Sequence, residues 1–100
     1  MIYTIEEIKE KIRPIAEKYN LPAVYLFGSY ARGEADEKSD IDIIADCSAV
    51  EGLLGYIAIF NDMKENFSKE IDMIETDIFE REKDERFLNN LKRDMVRVYG

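Results

Sequence analysis

Apolar residues recur along this chain with two different periods, and the switches between them divide it into short elements. Ile5, Ile8, Ile12, Ile15 and Tyr19 fall three or four apart, which puts them on one face of a helix. Thr4 with Glu7 three positions on forms a capping box, so that helix should start at Ile5. Pro14 removes a backbone donor and predicts a kink, and Asn20-Leu21-Pro22 ends the element. Residues 23–27 are apolar and aromatic and read as a buried strand, with further strands expected over 41–46 and 70–75. Between the last two, Val50, Leu53, Leu54, Ile57, Phe60, Met63 and Phe67 are spaced as the longest amphipathic helix, over 49–67, with Ser48 and Glu51 as a second capping box. Gly52 and Gly55 weaken it by about 1 kcal/mol each. The charge run over 81–86 reads as the solvated face of a last helix, with Phe87, Leu88, Leu91 and Met95 on its buried side. Val96-Arg97-Val98-Tyr99 alternates as a short edge strand would. Helices alternating with strands predict an α/β fold (α+β in some schemes), a small mixed sheet flanked by helices in one domain over residues 1–100.

The chemistry concentrates where the first strand breaks. Gly28 follows the apolar run and lets the backbone turn sharply with no Cβ in the way of a ligand. Ser29 stands where a helix can begin, and a helix start offers unpaired N–H groups to an anion. Arg32, one turn on, reaches toward the same phosphate. Ten residues after Ser29 come Asp40 and Asp42, at the mouth of the second strand. Strand alternation points both carboxylates the same way, with Cα atoms about 6–7 Å apart. At an effective dielectric near 20 they repel by roughly 2–3 kcal/mol, which a bound cation would relieve. Oxygen ligands of this kind suit Mg²⁺. Asp72, in the middle of the third strand, completes a three-carboxylate cluster if that strand lies beside the second, a cluster suited to two-metal catalysis. Asp36, Glu34 and Glu37 read as solvated loop residues.

Composition narrows the classes. The 100 residues carry a net charge of −8, which opposes direct nucleic-acid binding and suits a basic protein partner. The chain lacks histidine, so a Ser-His-Asp triad, a Cys-His pair and a histidine-ligated zinc site are all excluded. The single Cys47 permits no internal disulfide and reads as buried filler, consistent with the cytoplasm. No apolar run approaches 18 residues, and the first residues lack the pattern of a signal peptide.

Gly28-Ser29, a spacer, then Asp40-x-Asp42 resembles the signature of the DNA polymerase β-like nucleotidyltransferase superfamily. The local text Phe27-Gly28-Ser29-Tyr30-Ala31-Arg32-Gly33 and the spacer of ten look most like the minimal nucleotidyltransferases, small antitoxins found beside HEPN-domain toxins. The resemblance implies that Gly28 and Ser29 bind a triphosphate. It implies that Asp40 and Asp42 hold two Mg²⁺ ions, and that Asp72 is the third carboxylate and helps to activate the attacking hydroxyl. It further implies transfer of AMP from ATP to a tyrosine hydroxyl of the partner toxin. Two other readings stand beside this: a non-catalytic antitoxin acting by binding alone, and a nucleotidyltransferase acting on a small-molecule hydroxyl.

Overall fold

The structure, a computed structural model, describes residues 2–100. Helix α1 (Ile5–Tyr19) opens the chain. Both hydrogen bonds of its capping box form: the Thr4 hydroxyl accepts from the Glu7 N–H at 3.1 Å, and the Glu7 carboxylate accepts from the Thr4 N–H at 2.8 Å. The helix runs through Pro14 as one element and stops at Asn20, whose φ of 55° is left-handed. Strand β1 (Val24–Phe27), the one-turn helix α2 (Gly28–Arg32) and strand β2 (Ile41–Ala45) follow. Helix α3 (Gly52–Asn66) carries the chain over to β3 (Ile71–Glu75). Two short helices, α4 (Ile78–Arg81) and α5 (Glu85–Asp94), precede the last strand, β4 (Val96–Tyr99).

The sheet has the order β3-β2-β1-β4. β1 runs antiparallel to both β2 and β4, whereas β2 and β3 are parallel and joined through α3, as a parallel pair requires. The mixed sheet with flanking helices matches the expected class, and β4 is the edge strand that the Val96–Tyr99 alternation foretells.

Register fixes which side chains share a face, because directly opposed residues project to the same side. Leu26, Ile43 and Met73 are in line across β1, β2 and β3. They are buried against Ile8, Ile12 and Ile15 of α1 and Ile59 and Met63 of α3 in the main core. Tyr25, Ile44 and Ile74 line the other face. That face holds a smaller cluster with Ile78 of α4 and Leu91 of α5. The main core thus lies on one side of the sheet and leaves part of the other side open.

Three expectations need correction. The Ser48–Glu51 capping box does not form: α3 begins at Gly52 (φ +67°), Glu51 makes no side-chain cap bond, and the Ser48 N–H goes to the Asp46 carboxylate. The expected apolar stripe of α3 is displaced as well. Leu53, Leu54 and Ile57 are 71, 82 and 40% exposed, while Ile59 and Met63 are the buried residues. Gly55 is needed where it stands, since a Cβ there would press on Val50 at 2.9 Å. Finally, the charge run over 81–86 is not one helical face. The chain leaves α4 after Arg81 and re-enters a helix at Glu85, where the Asp84 carboxylate caps the Arg86 and Phe87 N–H groups. Phe87, expected on the buried side of this helix, is 43% exposed. No helix among the described residues is long and apolar enough to cross a membrane.

Candidate active site

The open part of the second sheet face is where the acidic residues gather. Phe27 of β1 is opposite Asp42 of β2, and Asp42 is opposite Asp72 of the parallel strand β3. Neighbouring strands lie about 4.8 Å apart, so the two carboxylates emerge side by side. Asp40, two residues before Asp42, joins them electrostatically. Burial, then Asp72, then Asp40 push the Asp42 carboxyl up from its ordinary 3.8 to about 6, and Arg32 opposes the rise. The alternation of apolar Ile71 and Met73 with Asp72 is what aims this third carboxylate away from the core.

Gly28 closes the other side of the cluster. Its φ is +69°, a left-handed conformation that glycine adopts freely. A Cβ at this position would run into the Asp42 carboxylate, with Asp42 Cγ only 3.1 Å away. The turn from β1 into α2 therefore comes as close to Asp42 as a backbone can. Ser29 follows in the first turn of α2, and among the described residues its hydroxyl has no hydrogen-bond partner.

A family model described as polymerase beta, nucleotidyltransferase, matches residues 10–100. The chain belongs to this family. Relatives agree: a candidate protein adenylyltransferase of Methanocaldococcus jannaschii is 40% identical over 70 residues, covering 70% of this chain and 75% of the relative. The protein adenylyltransferase MntA of Thermococcus cleftensis is 31% identical over 75 residues, covering 71% and 76%. Among solved structures, a candidate minimal nucleotidyltransferase superposes with a TM-score of 0.70 at 23% identity, covering 94% of this chain and 95% of its own. A toxin–antitoxin crystal structure with AMP-PNP superposes with a TM-score of 0.69 at 19% identity, covering 92% and 73%.

Membership of the polymerase beta nucleotidyltransferase family gives the acidic cluster a context, and the chemistry of its donor set fits Mg²⁺. Among the described residues no three acidic side chains close around one point as an all-protein cage would. Mg²⁺ does not ask for one, since it is commonly held by one or two carboxylates together with substrate phosphates and water. Asp40, Asp42 and Asp72 supply carboxylate oxygens on an open face, with Arg32 the cation that acts on Asp42 among the described residues.

Arg32 is less free than the sequence suggests. Its Nε donates to Glu34 at 2.9 Å, and its Nη1 lies 3.9 Å from Asp94 of α5. It thus ties α2 to α5 while still acting on Asp42. Cys47 is no nucleophile: it is buried, and burial pushes its thiol up to about 11.

Lys69 is the site residue that sequence reasoning missed. Its Nζ donates to the backbone carbonyls of Asp36, Glu37 and Ser39 at 3.1, 3.0 and 3.0 Å, using all three donors of the ammonium. The same ammonium lies 5.6 Å from the centre of the buried Tyr30 ring. Within the loop, the Asp36 carboxylate accepts from the Lys38 N–H at 2.8 Å and the Ser39 hydroxyl at 3.2 Å. The turn delivering Asp40 to the cluster is therefore pinned from β3's side. A lysine just before a strand carries no pattern that reveals this; only the fold brings it to the loop.

Proposed function

We propose that this protein is an Mg²⁺-dependent nucleotidyltransferase antitoxin that moves AMP from ATP to a tyrosine hydroxyl of a HEPN-type toxin. The observation that carries the reading is the in-line register of Asp42 and Asp72 beside Asp40, with the Gly28 backbone against the Asp42 carboxylate. The MntA relative's name and the toxin–antitoxin neighbour with AMP-PNP support the partner and the nucleotide.

Ser29 and the backbone N–H groups of the Gly28–Ser29 turn would bind the β- and γ-phosphates. Asp40, Asp42 and Asp72 would hold two Mg²⁺ ions, which when bound neutralise the triphosphate and favour attack on its α-phosphorus. Lys69 keeps the loop before Asp40 in place. Asp72, on the edge strand β3, would take the proton as the hydroxyl oxygen bonds to the α-phosphorus. The bond from that phosphorus to the bridging oxygen breaks, and pyrophosphate leaves. Most of the rate comes from positioning and electrostatics.

The test is transfer of label from α-phosphate-labelled ATP to the product of the adjacent gene, with Mg²⁺ present and an Asp40→Ala/Asp42→Ala control. Label on a tyrosine of the partner, absent from the control, is the expected result. A stable, neutralised complex without label would leave an antitoxin that works by binding. Label on an added small hydroxyl compound in place of the protein would redirect the acceptor.

A further inference from the structure

A cleft of about 230 Å³ runs between α2 and α5, lined in part by Phe27, Gly28, Arg32, Phe87, Asn90 and Asp94. The transfer steps above leave most of these residues without a role. We propose that this cleft holds the nucleoside half of the triphosphate, with the base stacked on Phe87 and its polar edge read by the Asn90 amide. The inference rests on the nucleotidyltransferase reading and extends it to the part of the substrate that distinguishes one nucleotide from another.

Position argues for it first. Gly28 belongs both to the cleft and to the turn against Asp42, and Phe27 shares the sheet face of Asp42 and Asp72. A nucleoside is bonded directly to the α-phosphate, so its site must adjoin the reacting centre, as this cleft does. The volume falls below the roughly 300–1,000 Å³ of clefts that take a whole drug-sized ligand. It suits half a nucleotide.

Charge argues against the phosphates binding here. Arg32 is paired with Glu34 at 2.9 Å and faces Asp94 at 3.9 Å, and Asp94 also accepts from Arg93 at 3.1 Å. The cleft thus has no spare positive charge, and Asp94 would repel an anion. A neutral, flat group is the better match.

The side chains complete the case. Phe87 is 43% exposed on α5, an aromatic ring that the core does not use. Asn90, one turn further along α5, is exposed, and its side-chain amide makes no hydrogen bond within the described residues. An amide presents a donor and an acceptor side by side, the complement of an adenine edge. Stacking on one aromatic ring typically changes affinity for a base by roughly tenfold to a hundredfold.

The experiment is calorimetric titration of the full chain, in Mg²⁺, with ATP and separately with inorganic tripolyphosphate. Phe87→Ala and Asn90→Ala should each weaken ATP binding about tenfold or more and leave tripolyphosphate binding unchanged. Phe87→Tyr, which keeps the ring, should retain ATP affinity, and Ser29→Ala should weaken both ligands. The inference is overturned if both alanine variants bind ATP like the wild type, or if they lose both ligands alike. It is also overturned if they lose the partner protein while keeping ATP, since the cleft would then serve the acceptor. Wild-type protein that binds neither ligand would defeat the nucleotidyltransferase reading itself, a result distinct from these.

Discussion

Replacing Asp42 with asparagine should stabilise the metal-free fold while abolishing transfer. The Asp42 carboxyl is pushed up to about 6 by burial and by Asp72 and Asp40. A rise of about two units from 3.8, at about 1.36 kcal/mol per unit, corresponds to about 3 kcal/mol at full weight. The side chain is only partly buried, so solvent screening reduces this to about 1–2 kcal/mol. The sign follows from linkage: the folded state binds the Asp42 proton more tightly than the unfolded chain does. The penalty is therefore absent below about pH 4, grows as pH rises toward 6, and is complete above it. An asparagine side chain keeps the volume and removes the charge. Urea unfolding in EDTA at pH 8 should place the D42N midpoint about 0.5–1 M above wild type, given an m value of about 1–3 kcal/mol per molar. The gap should shrink to about half by pH 5, and added Mg²⁺ should raise the wild-type midpoint far more than that of D42N. A D42N protein no more stable than wild type at pH 8, with the same pH slope, would refute the claim that these carboxylates repel one another in the fold.

Two glycines separate strain from contact. Gly28→Ala and Gly33→Ala both force alanine to a positive φ, +69° and +73°, at a cost of about 1–2 kcal/mol, but only the Gly28 methyl meets Asp42, whereas nothing lies within 4 Å at Gly33. Thermal melts should show both variants destabilised, with Gly28→Ala lower, and a transfer assay should show Gly28→Ala down at least about a hundredfold (from a displaced Asp42) while Gly33→Ala stays within about threefold. Lys69→Met removes three hydrogen bonds from the loop before Asp40. It should cost about 1–2 kcal/mol in a denaturant titration and raise the Mg²⁺ concentration needed for half-maximal transfer. Thr4→Ala should cost about 1 kcal/mol through the lost α1 cap, while Ser48→Ala, which breaks no cap, should be near neutral in the same titration.

Much of the fold was legible because each pattern there admitted a single element. The α1 stripe has one apolar face and a complete capping box, and the residues it names, Ile8, Ile12 and Ile15, are buried. Asp72 was legible for a related reason: flanked by Ile71 and Met73 in a short strand, it can only face away from the core that they enter. Helix α3 was not, because it carries apolar residues on more than one side. Spacing selected Leu53, Leu54 and Ile57 equally well with Met63, and only the position of the sheet decides for Ile59 and against the first three. Lys69 was missed, and Phe87 was assigned to the buried side of its helix, because what each one meets depends on elements far away in sequence. Lys69 acts on residues about thirty positions earlier, and α5 reaches Gly28 only after the chain has laid down three of the four strands.

Core and site are coupled by the two-residue period of the strands. Leu26, Ile43 and Met73 enter the main core in line. The neighbouring positions must then face the opposite way: Phe27, which follows Leu26, and Asp42 and Asp72, which precede Ile43 and Met73 and stand in line with it. A one-residue slip of β2 would bury Asp42 among isoleucines and expose Ile43, with an unpaired carboxyl added to the loss of apolar burial. The hydrophobic core thus sets the register, and the register in turn places the carboxylates beside one another in spite of their repulsion. The same geometry gives different expectations for the two kinds of substitution. Ile43→Ala should lower stability by about 2–5 kcal/mol with the surviving folded fraction still active. Asp42→Asn should do the reverse on both counts, which is what a site held in place by its core, and destabilising in itself, requires.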